Sequence, residues 1–174
     1  MTKREPELIF TEKWNIPQSL TFGEDYTEES RNRSIMQPFY NNRRWKTETA
    51  FIEFLEGSEK VERWFKNGDR DATFFAVPYN NGEDKPFYID FIVKLKDGRI
   101  GLFDTKAGLM QKVAGPKVNG LYKYIQNENK KGKKLFGGIV TNTDRNYRGR
   151  WIYFDRASKD LKDGDFSNWE DLEL

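Results

Sequence analysis

The stretch FYIDFIVKLKDGRIGLFDTKAG, residues 87–108, sets Asp90, Asp104 and Lys106 inside otherwise apolar sequence of β type. An isolated buried ion is strongly destabilising, so these charges require one another or a metal ion. Side chains on a strand alternate between faces, so Asp104 and Lys106 share a face while Phe103 and Thr105 point the other way.

Whether Asp90 joins them depends on the turn at Asp97-Gly98. A two-residue type I′ turn pairs Lys96 with Arg99 and sets Asp104 opposite Phe91. A three-residue loop of Lys96, Asp97 and Gly98, with Gly98 in the left-handed bulge position, pairs Leu95 with Arg99 and sets Asp90 opposite Asp104. The bulged register is the expected one, because it gathers the polar groups and lets Phe91 meet Phe103.

Working outward, strands are predicted over 74–79, 87–95 and 99–106, then over 135–141 and 150–154. A helix is expected from Thr47 as N-cap, with Phe51, Ile52 and Leu55 on one stripe and Gly57 as its stop. A second short helix is expected from Ser58 to Asn67-Gly68, and a third with Pro116 in its first turn. Segments 16–22 and 35–40 are read as a small N-terminal β-arm, joined by the polar linker 23–34. The expected architecture is α/β: a mixed central β-sheet flanked by helices, with an extension and arm over 1–40 and a core domain over 41–174.

The 174 residues allow one domain with a real core, and 14 Phe, 8 Tyr and 5 Trp supply its bulk. The tryptophans are read as core or arm-packing residues. Cysteine and histidine are both absent, which excludes disulfides, thiol nucleophiles, imidazole bases and Cys/His zinc sites. Any chemistry must run on carboxylates, lysines, tyrosines and hydroxyls. The net charge is only +2, so a polyanion would be held by local basic patches. No apolar run reaches a membrane span and the start, MTKREPELIF, lacks a signal-peptide core, so the cytoplasm is the expected compartment, with no membrane partner.

Two carboxylates a strand apart form an oxygen-ligand site suited to Mg²⁺, with Mn²⁺ as substitute, and a phosphodiester would complete the shell. Lys106 would orient a water or offset developing charge, since its acidic neighbours keep it protonated. Glu48 lies on the same helical stripe as Phe51, Ile52 and Leu55 and is a candidate auxiliary ligand; compensation of the helix dipole is its other reading. Glu53 and Glu56 are read as solvated surface.

The segment YID with Asp90, the segment DTK with Asp104 and Lys106, and the preceding TETAFIEFLEGSEKVERWFKNG together resemble the PD-(D/E)XK nuclease superfamily. Within it, the likeness is to the C-terminal endonuclease domain of type III restriction enzyme Res subunits and related helicase-nucleases. It spans roughly residues 35–142. Ile89 stands where such families often have Pro, and Asp104 where Res-type domains more often have Glu. GPKVNG at 115–120 is not a Walker A sequence, so the motor of a Res subunit is missing from this chain. The resemblance implies a restriction-endonuclease-like core, Mg²⁺-dependent hydrolysis of double-stranded DNA in a restriction or helicase-nuclease system, and a helicase or translocase region in the same or another chain.

Lys117, Gln111, Arg43, Arg44, Lys133 and Arg148 are candidate DNA contacts, and Tyr147 a candidate stacking wedge. Two other functions stay open: a non-catalytic DNA-binding or interaction module that keeps the nuclease fold, and a structural domain whose charges close into an ion-pair network.

Overall fold

The computed structural model describes residues 14–69, 73–80, 82–107, 111–162 and 164–174, and of 111–114 the backbone alone. Strands β1 (Thr27–Glu29) and β2 (Phe39–Asn41) precede helix α1 (Lys46–Glu56) and strand β3 (Val61–Lys66). Then follow β4 (Val77–Asn80), β5 (Asp84–Phe87), β6 (Phe91–Leu95), β7 (Ile100–Thr105) and helix α2 (Gln111–Lys130). Strands β8 (Leu135–Asn142), β9 (Trp151–Phe154) and β10 (Glu170–Asp171) complete the elements, with a 3-10 turn at Ser158–Asp160.

The central sheet is mixed, with strand order β10-β9-β8-β7-β6-β3; β7 and β8 run parallel and the other neighbours antiparallel. Alternation divides its side chains between two layers. Phe91, Val93, Leu95 and Phe103 pack with Phe51, Ile52 and Leu55 of α1. Leu102 packs with Leu121, Tyr124 and Ile125 of α2 on the opposite face. The chain is therefore mixed α/β, with a mixed central sheet between two helices. Helix α2 also lies close on the β4–β5 hairpin, where a Cβ at Gly120 would stand 2.5 Å from the Pro78 carbonyl oxygen.

The β6–β7 hairpin takes the bulged register. Phe91 pairs with Phe103, and the Leu95 amide donates to the Arg99 carbonyl at 2.9 Å. Gly98 has φ +92°, a conformation open to glycine and strained for other residues.

Other expectations are corrected. Residues 61–66 form a strand, not a helix. Val61, Trp64 and Phe65 carry the i, i+3, i+4 spacing of a helix because a bulge between Val61 and Arg63 shifts the strand's two-residue period. The span 87–95 is two strands, broken at 88–90. Helix α1 begins at Lys46 behind Trp45 with no side-chain cap, and the Thr47 hydroxyl instead meets the Tyr147 hydroxyl at 2.7 Å. Pro116 lies inside α2, which begins at Gln111.

The arm pairs 27–29 with 39–41, so one of its strands falls in the stretch read as linker. Segment 33–35 bonds along β3, with Ile35 donating to the Trp64 carbonyl and Trp64 to that of Arg33. Phe39 is buried in the α1-side core against Trp64.

Candidate functional site

Asp90, Asp104, Lys106 and Glu48 meet at the end of the sheet where β7 finishes and β6 begins. Two clamps set Asp90. The buried Asn67 amide donates to the carbonyls of Phe75 and Ile89, and the Asn67 backbone amide donates to the Asp90 carbonyl at 2.8 Å. Thr105 donates from its backbone amide (2.9 Å) and its hydroxyl (2.8 Å) to Asp90 Oδ2. Lys106 is tied to the neighbouring strand, its amide donating to the Val140 carbonyl at 2.9 Å.

The Lys106 ammonium lies 2.7 Å from Asp104 Oδ2; the Asp104 side chain is 4% exposed and that of Lys106 31%. On the other side of Asp90, the Lys66 ammonium stands 3.2 Å from Glu48 Oε2 and 3.9 Å from Asp90 Oδ1. Lys66 also rests over the rings of Trp45 and Phe91. Three carboxylates thus face two ammonium groups, leaving one negative charge in excess.

Burial, with that imbalance behind it, moves protons. Burial, reinforced by Asp90, pushes the Glu48 carboxyl up to about 7 against the pull of Lys66. Burial and then Asp90 likewise push Asp104 up to about 7, with Lys106 opposing. For Lys106, burial works to lower the pKa, but Asp104, Asp90 and Glu48 outweigh it and hold the ammonium above its usual range.

Glu48 Oε2 and Asp104 Oδ2 are buried with no hydrogen-bond donor aligned on them, despite the adjacent ammonium groups. Each is held by the charge of its lysine, at 3.2 Å for Glu48 and 2.7 Å for Asp104. With only oxygen donors and an excess of negative charge, the set suits a hard cation such as Mg²⁺ or Mn²⁺. Among the described residues, no three acidic side chains already stand at metal-ligand spacing. Glu48 and Asp104 flank Asp90, each with a lysine against it.

The proposed DNA contacts separate by position. The Tyr147 hydroxyl is bonded to Thr47 and its ring stacks on Trp151, so it packs the Arg145–Arg150 loop against α1 and is no wedge. Arg148 in that loop is exposed at the site's end of the sheet. Lys133 pairs with Glu128 beside the start of β7, about 20 Å along the strand from Lys106, which removes it from the site. The Lys117 ammonium lies over the Tyr79 and Phe87 rings of the β4–β5 hairpin, packed there instead of offered to a phosphate. Arg43 pairs with Glu29 and Arg44 loosely with Asp25, both side chains largely exposed. The Gln111 side chain lies outside the described residues.

Glu53 is exposed and bound to Arg31, whereas Glu56 is not free surface: it accepts from Trp64 Nε1 and from the Asn32 and Arg33 amides. Two participants escaped the sequence reading, Lys66 and Thr105. The helical periodicity of 61–66 hid the first, and its polar position at the end of an apolar strand was the available clue.

A cavity of about 310 Å³ opens from Glu48, Lys66 and Asp90 toward the arm, walled by Phe22, Tyr26, Tyr40 and Trp45 among others. Trp45 is 45% exposed and meets Tyr26 of the arm edge to face, so of its two expected roles it takes arm packing and not core.

The chain was compared with protein-family models, curated proteins and solved structures. It matches none of them. Among the described residues no helix is long and apolar enough to cross a membrane.

Proposed function

We propose that the chain is a metal-dependent nuclease domain that hydrolyses phosphodiester bonds in DNA at Asp90, Asp104 and Lys106. The observation that carries this reading is the convergence, at one end of the sheet, of the buried Asp104 carboxylate paired with Lys106 and the Thr105-anchored Asp90.

Asp90 and Asp104 would hold Mg²⁺, with Glu48 as auxiliary carboxylate. The bound ion would polarise the phosphodiester and acidify a water. Lys106, kept ionised by its acidic neighbours, donates to the phosphate oxygen on which charge accumulates. The attacking water gives up its proton to bulk solvent. As the bond from that water to phosphorus forms, the ester bond breaks, and the leaving oxygen takes a proton from solvent. A restriction or helicase-nuclease setting in the cytoplasm, with a motor region supplied elsewhere, accords with the likeness of the YID and DTK segments.

A non-catalytic DNA-binding module is the second reading. It is favoured by the lysine standing against each outer carboxylate and by the lack, among the described residues, of a ready three-acid group. A closed structural network is less well supported, because Lys106 reaches solvent and its partner is Asp104. Plasmid and oligonucleotide cleavage in Mg²⁺ or Mn²⁺ separates these readings. Cleavage lost in Asp104→Ala and Lys106→Ala supports the nuclease; DNA binding without cleavage in wild type supports the module.

A further inference from the structure

The cavity beside the carboxylates is walled by aromatic faces more than by basic side chains. Phe22 stacks on Tyr40 with centroids 5.2 Å apart, and Tyr26 meets Trp45 edge to face at 6.0 Å. Phe22 and Trp45 are two of the four exposed large hydrophobic residues among those described, and both line this one cavity. It reaches one side of the site, since Glu48, Lys66 and Asp90 also line it while Asp104 and Lys106 do not. About 310 Å³ is a volume suited to a small planar group and far too small for a duplex.

We propose that this cavity takes an unpaired nucleobase beside the scissile phosphate, so that the strand cut at this site is single-stranded or locally unstacked. The inference rests on the nuclease reading for the position of the phosphate. Three features favour this occupant.

Aromatic walls offer stacking to any base, but a base can use them only once it has left its own stack. The cavity is lined by Asp90 and Glu48, which puts the base one nucleotide's reach from those carboxylates. Next to the lining residues Asn42 and Trp45, the Arg44 side chain is 78% exposed and would meet a backbone phosphate by giving up its loose surface pair with Asp25, whereas Arg43 is tied to the buried Glu29.

The test is fluorescence anisotropy of the full chain with a labelled oligothymidylate of about ten nucleotides and with a hairpin duplex of matched length, in EDTA. The expected result is single-strand binding at least tenfold tighter than duplex binding. Trp45→Ala and Phe22→Ala should each weaken it by about tenfold or more. Trp45→Phe, which keeps a stacking face, should restore it, with unchanged melting curves showing that the variants fold. Equal or tighter duplex binding, binding of neither nucleic acid, or an unaltered affinity in Trp45→Ala would overturn the proposal. Failure of the catalytic reading has a different signature: Trp45-dependent binding without cleavage in Mg²⁺ supports the pocket and removes the hydrolysis.

Discussion

Thr105 grips Asp90 twice, its backbone amide and its hydroxyl both donating to the same carboxylate oxygen, Oδ2. That contact joins the two halves of the site, since Asp90 precedes β6 and Thr105 ends β7. It also leaves Asp90 Oδ1 turned toward Lys66 at 3.9 Å.

Thr105→Val keeps the shape and the amide but removes the hydroxyl donor. The expected loss is about 1 kcal/mol of stability and about tenfold in cleavage rate, as Asp90 gains freedom to rotate. Thr105→Ser should recover most of the rate. Denaturant midpoints and single-turnover cleavage measure the two effects, and an unchanged rate in the valine variant would count against Thr105 as a positioning residue.

Protonation gives a pH prediction for the metal-free protein. Asp104 and Glu48 bind their protons more tightly in the folded state than at the ordinary values of 3.8 and 4.5, both rising to about 7. Their contribution therefore favours the fold at pH 4 and below and is lost as pH climbs through about 7. Asp104→Asn removes its share, so the variant should melt several degrees above wild type at pH 8 in EDTA and close to it at pH 4. Parallel melting-temperature profiles for the two proteins would contradict this.

Lys66 neutralises Glu48 and shares the space in which a cation would be held. Lys66→Met should lower metal-free stability above pH 7, because Glu48 loses its counter-charge. The same change should tighten Mn²⁺ binding severalfold by removing a repelling charge. Calorimetric titration reads the affinity, and an unchanged or weaker value would place Lys66 outside the cation's surroundings.

Gly98 decides the hairpin. With φ +92° and open space where a Cβ would stand, Gly98→Val meets strain from the backbone alone. It should destabilise the fold by roughly 1–2 kcal/mol, read as a shifted urea midpoint at unchanged slope.

The hairpin register was legible because a single turn fixed it: Asp97-Gly98 and the need to gather three charges pointed the same way. Phe51, Ile52 and Leu55 announced α1 by their spacing, and Glu48 followed from them. Lys66 was not legible, because the bulge after Val61 gives a strand the periodicity of a helix. Trp45 packs on the arm through Tyr26, one of its two expected roles, but its place in a cavity wall was not legible. Its neighbours look like the start of a helix, and only the arm folding back to β2 turns its exposed face into a cavity wall. Long-range packing of this kind leaves no local pattern; Tyr147, read as a wedge, was lost to a hydroxyl contact a hundred residues away at Thr47.

The central claim is that Asp90, Asp104 and Lys106 form one metal-dependent cleavage site, and Mn²⁺ binding followed by electron paramagnetic resonance alongside DNA cleavage tests it most directly. Wild type and Lys106→Ala should each bind the ion, Asp90→Ala and Asp104→Ala should lose it, and only wild type should cut. Mn²⁺ binding indifferent to both aspartates, or cleavage that survives in all three variants, would contradict the account.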